Sequence, residues 1–200
     1  QTIELKGHEQ VVTFISWSPM GDHLVSAGAD GKARIWNVKA DNMVLSLPYY
    51  STTAKWSPDG TYIVAAASPD AENIFAGSVS VWNFKTGKLV FETHVDKDEN
   101  WGWVLPQYSP DGDNIIVRAS LPWPDITDAN KYYMLNSQNG EILRKFDTDK
   151  DTLLLIPDFS PDGKMFVVGD YEGTVYFWKV DSGELVRTKE CLSWVHALDW

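Results

Sequence analysis

Aromatic and acidic side chains crowd three stretches of this 200-residue chain, and together they could hold a cation. Residues 68–76 carry Asp70, Glu72 and Phe75. Residues 94–101 carry His94, Asp96, Asp98, Glu99 and Trp101, with Trp103 close behind. Residues 121–129 carry Trp123 between two prolines, with Asp125 and Asp128. Aromatic faces ringed by carboxylates suit a Lys or Arg side chain, through cation–π contact worth ~0.5–2 kcal/mol plus charge attraction. The competing reading is plainer: the tryptophans pin their own loops and the acids keep them solvated.

Other reactive residue types form no site. Asp147, Asp149 and Asp151 alternate like the carboxylates of a calcium loop. Thr152, however, stands where the sharp-turn Gly is needed, and Asp158 where a bidentate Glu would be. His8, His23, His94 and His196 never reach a metal-ligand spacing. Cys191 precedes an apolar segment, so a buried, inert thiol is expected. No nucleophile elbow, phosphate-binding Gly loop or dinucleotide fingerprint occurs. No catalytic residues, metal site or cofactor are therefore expected.

Composition narrows the partners. The net charge of −11 makes free nucleic acid and anionic membrane surfaces poor partners and a basic peptide an attractive one. Hydrophobic residues at 44% and charged residues at 22% are globular values, and 13% aromatic content leans toward strands. The single cysteine rules out an intrachain disulfide and fits a reducing compartment such as the cytoplasm without demanding one. No apolar run approaches the ~20 residues a membrane-spanning helix needs.

The elements that must position these loops are read from a repeat. Trp17-Ser18-Pro19, Trp56-Ser57-Pro58, Tyr108-Ser109-Pro110 and Phe159-Ser160-Pro161 share one phrase, and the last three continue as Asp-Gly. Pro fixes φ, Asp bonds its own backbone and Gly supplies the positive φ that reverses the chain. In the first unit Asp30-Gly31 marks a second hairpin, between apolar His23–Gly28 and alternating Ala33–Val38. Four strands per unit follow, over approximately 8–49, 50–94, 101–147 and 150–190, with the start of a fifth unit at 193–200. Thr2–Leu5 and Val195–Trp200 read as stray strands. A period near 40 with four strands per unit is a propeller-blade signature.

Gly7-His8 before a strand, Asp30-Gly31 at the hairpin and Ile35-Trp36-Asn37 closing the third strand resemble the WD-repeat β-propeller family. The resemblance implies an all-β fold of four-stranded antiparallel blades within a larger ring of about seven. It also implies a buried hydrogen-bonded tetrad, which maps onto His8, Ser26, Asp30 and Trp36. Later units depart from the pattern, with Leu135 where Trp is expected and Val168 and Glu172 at the Ser and Asp positions. By propeller geometry the three long connections emerge on one face of neighbouring blades. The expected function is a non-catalytic scaffold that binds a protein or peptide there, through Phe75, His94, Trp101, Trp103, Trp123, Asp96, Asp98, Glu99 and Asp125. The alternative is a regulatory or sensory propeller portion of a larger enzyme or signalling protein. A propeller hydrolase or lyase would need His, Asp or Arg converging from the inner strands, which offer mainly Val, Thr, Leu and Trp. Open blade edges would also permit self-association.

Overall fold

A computed structural model of the chain describes residues 4–47, 51–66, 77–95, 103–120, 130–146 and 157–191. These residues form strands and turns, with no helix among them. The first sheet is β1 (Val12–Trp17), β2 (His23–Gly28), β3 (Ala33–Asn37) and β4 (Asn42–Leu47). The second is β5 (Thr53–Trp56), β6 (Tyr62–Ala66), β7 (Ser78–Asn83) and β8 (Lys88–His94). The third is β9 (Trp103–Tyr108), β10 (Asn114–Ser120), β11 (Asn130–Asn136) and β12 (Ile142–Phe146). The fourth is β13 (Asp158–Phe159), β14 (Met165–Gly169), β15 (Thr174–Lys179) and β16 (Leu185–Glu190). Each is an antiparallel meander in chain order.

Local chemistry makes the meander. In the second sheet Ser57 Oγ donates to Asp59 Oδ1 at 2.6 Å and accepts the Tyr62 amide at 2.9 Å, so one hydroxyl closes the turn from β5 to β6. Gly60 occupies the left-handed region at φ 71°, as Gly112 and Gly163 do in the third and fourth sheets. In the first sheet Met20 takes the Asp position, and Asp22 accepts the Ser18 hydroxyl instead, at 2.9 Å.

The sheets stack face to face through apolar side chains. Val25 and Ile35 of the first share a core with Trp56, Ile63 and Trp82 of the second. Val64 and Val81 of the second pack with Tyr108, Ile115 and Leu135 of the third. Ile116 and Met134 of the third pack with Phe159, Phe166 and Trp178 of the fourth. The first strands lie side by side, β1 against β5 and β5 against β9, while the fourth strands form the exposed margin.

The first sheet presents an open face. Trp56, Tyr108 and Phe159 occupy equivalent positions and are 7%, 7% and 5% exposed, each covered by the preceding sheet. Trp17 holds the same position in the first sheet and is 56% exposed, with Ile15 beside it on that face at 61%.

Four expectations need correction or restriction. Cys191 is exposed rather than buried, because it follows β16, an outermost strand exposed along its whole length. Glu4 and Leu5 lie outside any strand. The start of the expected fourth unit, 150–156, and the strand at Val195–Trp200 lie outside the described residues.

Candidate functional site

The first sheet buries a linked set of polar side chains. Trp36 Nε1 donates to Ser26 Oγ at 2.8 Å, and Ser26 Oγ lies 2.7 Å from His8 Nε2. His8 Nδ1 lies 3.0 Å from Asp30 Oδ1. Because the Asp30 carboxylate can only accept, Nδ1–H donates to it, and in the neutral ring this leaves Nε2 to accept the Ser26 hydroxyl. Arg34 Nη1 donates to Asp30 Oδ2 at 2.7 Å, and the Glu9 and Lys32 amides also reach this carboxylate. Nδ1 and Arg34 Nη1, 2.8 Å apart, are then two donors aimed at one acid rather than a bond to each other. Burial raises the Asp30 pKa, but these hydrogen bonds outweigh it and hold the carboxyl well below the usual range.

Ser, His and Asp here have the connectivity of a nucleophilic triad. The geometry argues for structure instead. Ser26 is 4% exposed, and its oxygen is already occupied by the tryptophan indole. What the network does is bind the segment before β1 to the β2–β3 hairpin, since His8 and Asp30 belong to those two segments.

The other sheets fill this region differently. In the second, Trp82 Nε1 donates at 2.9 Å to Ser80, two residues back on the same strand. In the fourth, fully buried Asp170 takes the position of Gly28. It accepts the Tyr176 hydroxyl at 2.9 Å and the Thr174 amide at 2.6 Å. Burial, followed by the Asp170 bond, pushes the Tyr176 phenol up to about 12. Asp170 is not among the residues expected above; its signal in the sequence is an acid directly after a strand, with Tyr at the Arg34 position and Trp178 beyond.

Of the residues expected to bind a partner, Phe75, Asp96, Asp98, Glu99, Trp101, Trp123 and Asp125 lie outside the described residues. So do the aspartates from 147 to 151 and His196. His94 closes β8 opposite Ser78, half-buried. Trp103 opens β9 opposite Ser120, which itself pairs with Asn130. The described anchors of the three long connections therefore end at one side of two adjacent sheets, on the face that also carries the His8–Asp30 network.

At the opposite end, the inner strands line a hollow of about 390 Å³. Ser16, Lys55, Gln107 and Asp158 hold equivalent positions there, each preceding the aromatic of the repeat phrase. Lys55 Nζ donates to Gln107 Oε1 at 3.0 Å, and its ring-facing approach to Phe14 is 5.6 Å. Burial lowers the Lys55 pKa, with the charge of Asp158 partly opposing it. Beside the Val, Thr, Leu and Trp that the inner strands mainly offer, one cation, one carboxylate and one amide line the hollow. No group of three or more His, Cys, Asp or Glu that could hold a metal occurs among the described residues.

Comparison with known proteins agrees with this architecture. The family model described as "WD domain, G-beta repeat" matches residues 1–37 and 154–179. The chain is 28% identical over 191 residues to WD repeat-containing protein AAC3 of Dictyostelium discoideum, covering 94% of the chain and 37% of that protein. It is 25% identical over 200 residues to eukaryotic translation initiation factor 3 subunit I of Kluyveromyces lactis, covering 94% of the chain and 54% of the relative. Over 230 residues it is 25% identical to THO complex subunit 3 of Arabidopsis thaliana, at 96% and 70% coverage. The chain thus spans about half the length, or less, of the first two relatives. The four-stranded antiparallel sheets, the His8–Ser26–Asp30–Trp36 network and these matches together support a WD-repeat family for the chain.

Proposed function

We propose that this chain is a non-catalytic platform for a protein partner, which it engages on the face of the three long connections. The observation that carries the reading is the convergence of their anchors, near His94, Trp103, Ser120 and Asn130, on one side of two stacked sheets. A stiff scaffold with long loops at one end is a usual arrangement for recognition. Phe75, His94, Trp101, Trp103, Trp123, Asp96, Asp98, Glu99 and Asp125 form the proposed contact set, and a basic peptide or protein segment is the partner their chemistry suits. Two of the relatives are named as subunits, of an initiation factor and of the THO complex, which supports a place in a multisubunit assembly.

The exposed Ile15 and Trp17 support a second part of the reading. Another four-stranded sheet covers that face, as the preceding sheet covers Trp56, within a ring of about seven blades; pairing of two chains there is the alternative arrangement.

Affinity capture with mass spectrometry, comparing wild type with Trp101→Ala/Trp103→Ala/Trp123→Ala, tests the platform. The expected result is a partner lost only from the variant, with melting temperature unchanged within a few degrees and capture weakened by added salt. Equal capture by both proteins moves the site elsewhere. A large fall in melting temperature makes the tryptophans structural.

A further inference from the structure

The joints between successive sheets are built alike, and one of them is underfilled. On the face of the Ser-Pro-Asp-Gly turns, three repeat-equivalent positions meet at each joint. One is the first residue of a sheet's second strand, one is its fourth-strand residue facing the next sheet, and one is the residue just after the next sheet's third strand. Between the first and second sheets these are His23, Leu45 and Phe84. The Phe84 ring lies 4.9 Å from that of His23 and 5.0 Å from that of Trp56, and Leu45 meets the turn at Gly87. Between the second and third sheets they are Tyr62, Phe91 and Ser137, with Tyr62 and Phe91 packed on the core and Phe91 against Gly140. Between the third and fourth sheets they are Asn114, Arg144 and Val180, without an aromatic ring among them. There a groove of about 1060 Å³ opens.

The side chains of this groove select a ligand. Its apolar surface comes from Leu143, Met165 and Val180, with the buried Met134 beneath them. Arg144 stands over it, half-buried, its stem against Gly183 and one guanidinium nitrogen donating to the Asp181 carbonyl at 2.8 Å. The lining also holds Asp111, Asp162 and Asp181 beside Lys164 and Lys179. Asp162 accepts the Ser160 hydroxyl and the Lys164 amide, and Asp111 accepts the Ser109 hydroxyl and the Asp113 amide, which holds those two carboxylates at their own turns. Lys179 is paired with Glu184 at 2.7 Å. An oriented guanidinium above an apolar floor matches a carboxylate next to an aliphatic side chain, because its remaining N–H groups can grip both oxygens.

We propose that the groove between the third and fourth sheets docks a linear peptide segment in which an acidic residue adjoins an apolar one. This site lies at the opposite end of the sheets from the loop face and takes the opposite charge, so the two surfaces can be tested apart.

The test uses the methionines. Met134 and Met165 line the groove, whereas Met20 and Met43 lie on the first sheet. The 200-residue chain, carrying ¹³C-methyl methionine, is titrated with the acetylated peptide amide Glu-Leu-Glu-Leu-Glu and with its Lys-Leu-Lys-Leu-Lys counterpart. The expected result is saturable movement of the Met134 and Met165 methyl signals with the acidic peptide only, weakened at least about tenfold by Arg144→Ala. Val180→Phe, which installs the Phe84 solution at this joint, should abolish it at unchanged melting temperature. The proposal is overturned by no saturable shift at about 1 mM peptide, by movement of Met20 and Met43 instead, by equal binding of the lysine peptide, or by indifference to Arg144→Ala. A folded Val180→Phe protein that still binds overturns it as well; if that variant does not fold, the Arg144→Ala comparison decides.

Discussion

The imidazole of His8 stands directly over Gly28, so close that a Cβ on the glycine would lie 2.7 Å from Nδ1 and 3.0 Å from Asp30 Oδ1. Gly28 is thus required by the ring above it rather than by its own backbone angle. Gly28→Ala must push His8 away from Ser26 and Asp30, leaving buried polar groups without partners at ~1–3 kcal/mol each. A fall of several degrees in melting temperature is expected, and thermal unfolding of the variant checks it. An unchanged melting temperature would mean that the network contributes little.

The acid limb of stability should carry the signature of Asp30. Its folded-state pKa lies below the unfolded value, so its contribution is complete above about pH 4 and is lost as pH falls further toward the folded value. Asp30→Asn should therefore be less stable than wild type at pH 7, with the gap narrowing below pH 4. Asp59 and Asp162, also lowered, remain in both proteins and cancel in the comparison. Denaturant midpoints at pH 7, 5, 4 and 3 measure the gap; a constant gap would place the effect in packing.

Trp17 and Trp56 share a strand position and differ in cover. Trp56→Ala empties a packed joint and should cost ~3–5 kcal/mol, whereas Trp17→Ala in the same chain should cost under ~1 kcal/mol. Urea unfolding of the two variants side by side gives the difference. Equal costs would mean that the open face is covered in solution.

In the fourth sheet, Tyr176→Phe removes the hydroxyl that Asp170 accepts while leaving its ring in the core. A buried carboxylate oxygen loses its partner, so a cost of ~1–3 kcal/mol is expected, to be read from the urea midpoint. A neutral substitution would show that the Thr174 amide alone satisfies Asp170.

Much of this architecture was legible because its causes are local. Ser-Pro-Asp-Gly and Asp30-Gly31 set their turns through φ preferences and bonds spanning a few residues, and the strand alternation between them needs only a period of two. The residues His8, Ser26, Asp30 and Trp36 could be named only through the resemblance of the first repeat to a known family, since 22 positions separate His8 from Asp30. Tertiary packing decided what the pattern does not encode. Lys55 finds Gln107 across 52 positions, because β5 and β9 happen to be neighbours. The cover on Trp56 and its lack on Trp17, the exposure of Cys191 on an outer strand, and the gap beside Arg144 all depend on which sheet lies against which. Turn and strand preferences are properties of adjacent residues, whereas burial and fit arise only between surfaces that the finished fold brings together.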